Sequence, residues 1–285
     1  MLYFLTVNYY STELIQKLLD SIDGDRSNYQ FVIVNNSPDD RTIKNLKHQS
    51  VVVLESETNL GFANACNLGL NWIYQENAQA LVWIINPDTY LKPNSLESVF
   101  AFFKTYPKLS LVGTLIYTPT DDIWFAGGRF IPYIGAIFST NFLGSNPPFP
   151  YVSCDWVSGC SLLINLCHFQ SCPQFDADYF LYYEDFDFCR RCASQGHQIV
   201  ITNRLAIIHQ PSSITNRNIR VKLKHSTYSY LLTLERYTNP LVFWVRFLRL
   251  FFYTLILLPI KTQASLGKLT GITDYLTRNS VAQKS

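Results

Sequence analysis

Along residues 1–116 the chain alternates between two hydrophobic patterns. Short, nearly continuous apolar runs at 2–8, 31–35, 51–54, 81–85 and 109–116 have the length and composition of buried strands. Between them, 12–22, 61–74 and 95–106 carry apolar residues at helical spacing. Pro93 and Asn94 ahead of Ser95 mark a helix start. Strands alternating with helices imply right-handed crossovers, so the pattern predicts an α/β half of nucleotide-binding type with a mostly parallel sheet.

Beyond residue 117 the pattern loosens. Residues 118–150 are rich in Gly, Pro and aromatic side chains, as in Phe125-Ala126-Gly127-Gly128 and Asn146-Pro147-Pro148-Phe149-Pro150, and read as a long functional loop or small insertion. Order returns at 155–164, a predicted strand, and short strands are predicted at 199–202 and 206–209. The segment beyond Pro211 is polar and basic and reads as mobile. Residues 241–260 are overwhelmingly apolar, with Arg246 and Arg249 as charged interruptions. A spanning helix needs about 20 mostly apolar residues, and two arginines in its middle are costly. Phe243, Trp244, Phe247, Leu250 and Phe251 can share one face while the arginines lie elsewhere, which predicts a basic amphipathic helix lying in a membrane interface. A core helix of a globular domain is the plainer alternative.

Composition sharpens this picture in three ways. The 285 residues are 48% hydrophobic and 15% aromatic, which excludes disorder and allows one large domain or two packed halves. The net charge of +2 hides an asymmetry: from Arg217 onward there are 11 basic and 2 acidic residues, against 12 basic and 19 acidic before it. The seven cysteines are odd in number, and the start of the chain reads as a strand and not as a signal peptide, so reduced thiols in a cytoplasmic protein are expected. Cys189 and Cys192 have a metal-like spacing but no second such pair, and read as structural thiols.

Two acidic segments carry the chemistry. Tyr182-Tyr183-Glu184-Asp185-Phe186-Asp187 places three carboxylates in four residues within an aromatic stretch, where ionised groups need partners or a task. Asn86-Pro87-Asp88-Thr89 follows the apolar run 81–85, where open α/β sheets build ligand sites. No Gly-x-Gly-x-x-Gly follows a strand and no Walker-type loop is present, which argues against a dinucleotide cofactor and points to phosphates handled by a metal at Asp88. The Glu184, Asp185 and Asp187 cluster can also be read as a helix N-terminal charge.

Several segments, taken together, resemble family-2 glycosyltransferases of the GT-A fold, especially rhamnosyltransferase-like bacterial members that build surface polysaccharides. They are Thr6-Val7-Asn8-Tyr9, Val32-Ile33-Val34-Asn35-Asn36-Ser37-Pro38-Asp39-Asp40, Asn59-Leu60-Gly61-Phe62-Ala63-Asn64-Ala65-Cys66-Asn67, Asn86-Pro87-Asp88-Thr89, Trp156-Val157-Ser158-Gly159, and Phe180 to Asp187. His209 in Ile207-Ile208-His209-Gln210-Pro211-Ser212-Ser213 matches a family histidine. The match covers residues 1–240 and occurs in the family's order.

The resemblance implies an inverting transfer from a dTDP- or UDP-sugar to a lipid-linked saccharide, with Mg²⁺ or Mn²⁺ and without nucleic acid. It implies Asp185 as base with Glu184 as competitor, and Asp88 and His209 as metal ligands, the alternative for His209 being a buried neutral ring. Thr6, Asn8, Tyr9, Asn35, Asn59, Gly61, Phe62, Asn67 and Asn86 match the nucleotide and donor side, and Trp156, Gly159 and Asp187 the acceptor side. Asn35 and Asn86 stand where relatives often have acids, so a catalytically silent sugar- or nucleotide-binding protein is the alternative. A nucleotidyltransferase would need a Gly/Arg/Lys-rich loop that is missing between Asn8 and Lys17. The implied organisation is 1–117 as nucleotide-sugar-binding half and 118–225 as acceptor-binding and catalytic half of the same domain. Residues 226–285 form a helical tail on an anionic membrane surface, with the protein cytoplasmic and peripheral at the inner face.

Overall fold

The structure, a computed structural model, describes residues 1–46, 51–144, 149–210 and 218–278. Its centre is a parallel block of four strands in the order β3 (Val51–Glu55), β2 (Tyr29–Asn35), β1 (Leu2–Asn8) and β4 (Leu81–Ile85). β1 is buried along its whole length, which explains why it reads as a continuous apolar run. Register puts Phe4 opposite Phe31 on one side and Trp83 on the other, and the three rings stack at 5.6 and 5.4 Å between centroids. Helix α1 (Thr12–Asp20) follows β1 and α2 (Gly61–Glu76) follows β3. Gly69 lets α2 lie close on β1, because a Cβ there would stand 2.2 Å from Leu5 Cδ1.

The sheet continues past β4 with β11 (Ser161–Asn165) and the edge strand β10 (Val152–Ser153) running against the strands beside them. β5 (Thr89–Leu91) and α3 (Ser95–Thr105) lead to β6 (Leu111–Tyr117), which is separated from β4 by the antiparallel β11. β12 (Ile199–His209) runs parallel to β6, and the two-residue β10 closes the edge. The two short strands expected at 199–202 and 206–209 are one strand, with a register shift between Thr202 and Ala206. The strand expected at 155–164 is confined to β11. Before it, Trp156 makes an isolated bridge to Gly128 and the Ser161 N–H closes a turn on the Ser158 carbonyl at 3.1 Å.

Residues 118–144 are not a plain loop. They hold β7 (Ile123–Phe125), paired with β6, and a hairpin of β8 (Gly128–Ile131) and β9 (Ala136–Ser139). The Pro-rich stretch 146–148 lies outside the described residues. α4 (Glu184–Ser194) carries the acidic motif. The basic segment after Pro211 lies outside the described residues up to 217, and from there it is helical. α5 (Ile219–Tyr237) is capped by Asn218, whose side chain accepts the Val221 N–H. The division expected at residue 225 falls within this helix.

α6 (Pro240–Leu257) and α7 (Thr262–Thr277) complete the tail. Gly267 and Gly271, one turn apart on α7, meet α5 so closely that a Cβ would stand 2.4 Å from the Arg220 carbonyl oxygen and 2.3 Å from that of Lys224. Phe243, Phe247, Leu250 and Phe251 of α6 face the protein, and Trp244 packs edge-on to the Phe243 and Phe247 rings at 5.3 and 5.5 Å while staying exposed. A second apolar face of α6 points outward, with Leu241 74% and Ile256 69% exposed. All seven cysteines are free thiols, and Cys189 and Cys192 are buried.

Candidate active site

The C-terminal end of β4 opens into the turn that holds Asp88. Three backbone-anchored bonds fix it: Asn86 N–H to the Cys160 carbonyl at 3.0 Å, Thr89 Oγ1 to the Asn86 carbonyl at 2.7 Å, and Gln210 N–H to the Asp88 carbonyl at 2.9 Å. β5 pairs antiparallel with β12, with Thr89 opposite His209, so the sheet itself delivers the histidine to the aspartate. His209 Nε2 lies 3.3 Å from Asp88 Oδ1, and both side chains are buried. The Trp124 ring stands edge-on to the imidazole at 4.6 Å, and His209 Nδ1 has no hydrogen-bond partner among the described residues. No cluster of three or more His, Cys, Asp or Glu side chains that could hold a metal occurs among the described residues, and Asp88 and His209 stand as a pair.

The start of α4 forms another wall. Tyr182 and Tyr183 take positive φ values of 70° and 65°, a strained left-handed pair that swings the chain into the helix. Asp185 then accepts the Gly159 N–H on Oδ2 at 2.9 Å and the Phe186 N–H on Oδ1 at 2.8 Å. Glu184 is buried beside it, and its Oε2 has no partner among the described residues. Burial raises the Asp185 carboxyl above the usual carboxylate range, while the two N–H donors oppose the rise. Glu184 is pushed well above that range by burial and then by the Asp185 charge. The pair therefore takes its first negative charge on Asp185, and Glu184 keeps its proton to higher pH.

These walls enclose one cavity of about 920 Å³. It brings together Tyr9, Asn59, Gly61, Phe62, Asn86, Asp88, Trp156, Gly159, Glu184, Asp185 and His209. Trp156 presses on Gly128, where a Cβ would stand 2.1 Å from the indole, and its Nε1 has no partner among the described residues. Gly61, at φ +77°, is required by the chain's own packing: a Cβ would stand 2.4 Å from the Phe180 carbonyl oxygen, which accepts the Phe62 N–H at 2.8 Å.

Five predicted residues lie outside the lining. Thr6 is buried within β1. Asn8 donates to Asn35 Oδ1 at 2.9 Å and to Asp40 Oδ2 at 3.1 Å. Asn35 is buried, donates to Glu55 Oε2 at 2.7 Å, and accepts from Asn8 on its Oδ1, so both ends of its amide are bonded within the chain. Asn67 clamps Phe175 through both of its polar atoms, at 2.7 and 2.8 Å. Asp187 is tied to Arg191 at 2.7 Å and to the Tyr237 hydroxyl at 2.8 Å, which makes it a strut between α4 and α5 and not a cavity group.

Sequence reasoning missed other lining residues. Asn36, next to Asn35, holds the Asn59 loop by accepting the Leu60 N–H at 2.7 Å and donating to Asn59 at 2.9 Å. Its place in the same polar turn was the available signal. Trp124, the β9 residues Ile137 to Ser139, and Lys222 and His225 of α5 also line the cavity. His225 stacks on Phe180 at 4.3 Å, and burial lowers its pKa.

Comparison with known proteins defines first the class and then the family. GalNAc-T7, solved with UDP, GalNAc and Mn²⁺, superposes with a TM-score of 0.61 at 13% identity, covering 80% of this chain and 47% of that one. Residues 1–349 of S. aureus TarS give 0.53 at 14% identity, covering 81% and 64%. The chain thus spans about half to two thirds of these neighbours, and the likeness defines a GT-A fold. Rhamnosyltransferase WbbL of Escherichia coli (strain K12) is 23% identical over 81% of this chain and 92% of its own length. Low-salt glycan biosynthesis hexosyltransferase Agl10 of Haloferax volcanii is 22% identical over 68% of this chain and 62% of its own. Residues 5–161 match the sequence profile of Glycosyl transferase family 2, and the chain belongs to that family.

Proposed function

We propose that the protein is an inverting, metal-dependent glycosyltransferase of cell-surface polysaccharide synthesis. It moves rhamnose or a similar hexose from a dTDP- or UDP-linked donor to a hydroxyl of a lipid-linked saccharide, at the cytoplasmic face of the cell membrane. The observation that carries this reading is that Asp88 with His209, and Asp185 with Glu184, line one and the same cavity. WbbL, a rhamnosyltransferase by name, and the solved complexes of GalNAc-T7 with UDP and Mn²⁺ and of TarS with UDP support the choice of donor and metal.

Asp88 and His209 fit a hard divalent cation, since Mg²⁺ commonly takes one or two carboxylates and fills its shell with substrate phosphates and water. When bound, Mg²⁺ or Mn²⁺ supplies Lewis-acid charge to the leaving diphosphate. Asp185 accepts the proton of the acceptor hydroxyl. As that oxygen bonds to the anomeric carbon, the bond from this carbon to the diphosphate oxygen breaks and its electron pair leaves with the diphosphate. Attack from the side opposite the leaving group inverts the centre. The N–H groups of Gly159 and Phe186 hold the base carboxylate in place, and Glu184, keeping its proton, leaves a single charge beside the reacting hydroxyl. Trp156 offers the acceptor sugar an aromatic face and a free N–H. The outward apolar face of α6 seats the protein on the bilayer that carries the acceptor.

A thermal-shift screen of UDP, dTDP and GDP, each with and without Mn²⁺ or Mg²⁺, tests the reading, because a ligand of the native state raises the melting temperature by mass action. Stabilisation that needs one nucleotide and the metal together is expected. A folded sample that responds to no pair would overturn it.

A further inference from the structure

A second, smaller cleft of about 250 Å³ lies between α5, α6 and α7, and none of the proposed chemistry uses it. Its wall carries Arg246, Arg249 and Lys268, with Tyr230 and Tyr253. Three cations facing one small space repel each other unless something anionic joins them. Among the described residues no carboxylate pairs with any of the three, whereas other tail cations are paired, as Lys224 is with Asp274 at 2.9 Å. Lys268 instead lies over the Tyr253 ring at 5.1 Å, and Arg246 gives its Nε to the Ile134 carbonyl at 2.7 Å.

The place of the cleft on α6 says what joins them. Leu241, Val245, Leu248, Phe252 and Ile256 are all exposed, at spacings of four and three residues, so they form one stripe along the outward face. Arg246, Arg249 and Tyr253 each directly follow a member of that stripe. They therefore form a parallel row about 100° round the helix. The β8–β9 turn is bonded to the cationic row through Arg246 and adds two exposed apolar side chains there, Tyr133 at 82% and Ile134 at 53%. A surface that is apolar in front and cationic along its flank matches a lipid, with acyl chains against the stripe and the headgroup beside it.

We propose that this cleft binds the phosphate of an acidic phospholipid headgroup and so fixes the orientation in which α6 lies on the membrane. The inference rests on the membrane reading given above and adds to it a discrete site. Arg249 and Lys268 embrace the phosphate from α6 and α7, and Arg246 ties the hairpin turn to the same point.

Flotation of the full-length protein with vesicles of phosphatidylcholine, alone or mixed with phosphatidylglycerol, tests this. The wild type should bind both and prefer the mixture. The pair Arg249→Gln with Lys268→Gln should lose roughly thirtyfold of that preference, from two charges near a surface. The charge-matched pair Arg220→Gln with Lys261→Gln, at exposed positions outside the cleft, should lose much less. Circular dichroism and melting of each variant separate misfolding from lost binding. Equal losses in the two pairs would mean diffuse charge and overturn the site. A cleft variant that keeps its vesicle preference yet loses transfer to a lipid-linked acceptor would assign the cleft to the acceptor's own phosphate, which also overturns the proposal. Failure of the wild type to float on any vesicle would instead sink the membrane reading itself.

Discussion

The backbone N–H of Gly159 points at Oδ2 of Asp185 from 2.9 Å, across 26 positions of sequence. Those two residues lie in separate segments, the turn before β11 and the first turn of α4, and this bond locks the carboxylate's orientation before any substrate arrives. In the proposed role of base, a carboxylate held in this way has little freedom left to lose on reaction.

Asp185→Asn keeps the shape of the side chain and an oxygen for the Gly159 N–H, but it removes the proton acceptor. Transfer should fall by about 10² to 10⁴-fold, the usual worth of a general base, while nucleotide binding with metal stays near the wild-type level. Steady-state rates set beside nucleotide titrations check this, and wild-type turnover would remove Asp185 from the role of base.

Glu184 gives a prediction about pH and stability. Its pKa in the folded protein lies well above that in the unfolded chain, because burial and the Asp185 charge penalise the ionised form. The folded state thus binds the proton more tightly. Its stabilising share is fully present below the ordinary glutamate pKa and is lost as pH rises toward the folded value. Glu184→Gln cannot ionise, so its stability relative to wild type should grow with pH across that window. Urea midpoints measured along a pH series read this, and a difference that stays constant would contradict the assignment.

Gly61→Ala would place a methyl group 2.4 Å from the Phe180 carbonyl at a φ of +77°. The left-handed conformation alone costs about 1–2 kcal/mol for a residue with a Cβ, and the clash adds to it. A lowered denaturation midpoint, with a weaker metal–nucleotide response because the Asn59 loop shifts, is the expected result.

Asp187 should behave as a strut. Asp187→Ala removes two charge-assisted bonds, to Arg191 and Tyr237, and should cost about 2–3 kcal/mol of stability. The KM for acceptor should change little in the folded fraction at low temperature. A large KM effect with unchanged stability would return Asp187 to the acceptor side.

Much of the fold was legible because burial leaves a strong mark on sequence. β1 and β4 have the bounds that their apolar runs predict, since both are buried almost throughout. The hairpin within 118–144 was hidden, because its strands are four residues each and its turns use the Gly residues that also mark loops. The polar residues were harder. Asn35 and Asn67 sit in motifs that match the donor side, yet each spends its amide on its own chain, and a one-dimensional pattern cannot tell a bond to Glu55 or Phe175 from a bond to a ligand. α6 misled for a related reason. It has two apolar faces, and only the packing of α5 and α7 decides which one is covered.

α5 touches the main cavity with Lys222 and His225 and the small cleft with Tyr230. It is a continuous helix between those points, so the eight steps from Lys222 to Tyr230 span about 12 Å along a stiff rod. In the membrane docking proposed above, that rod sets the distance between the main cavity and the surface on which the tail would rest. On that proposal the helix acts as a ruler, and the length of acceptor the site reaches follows from the rod.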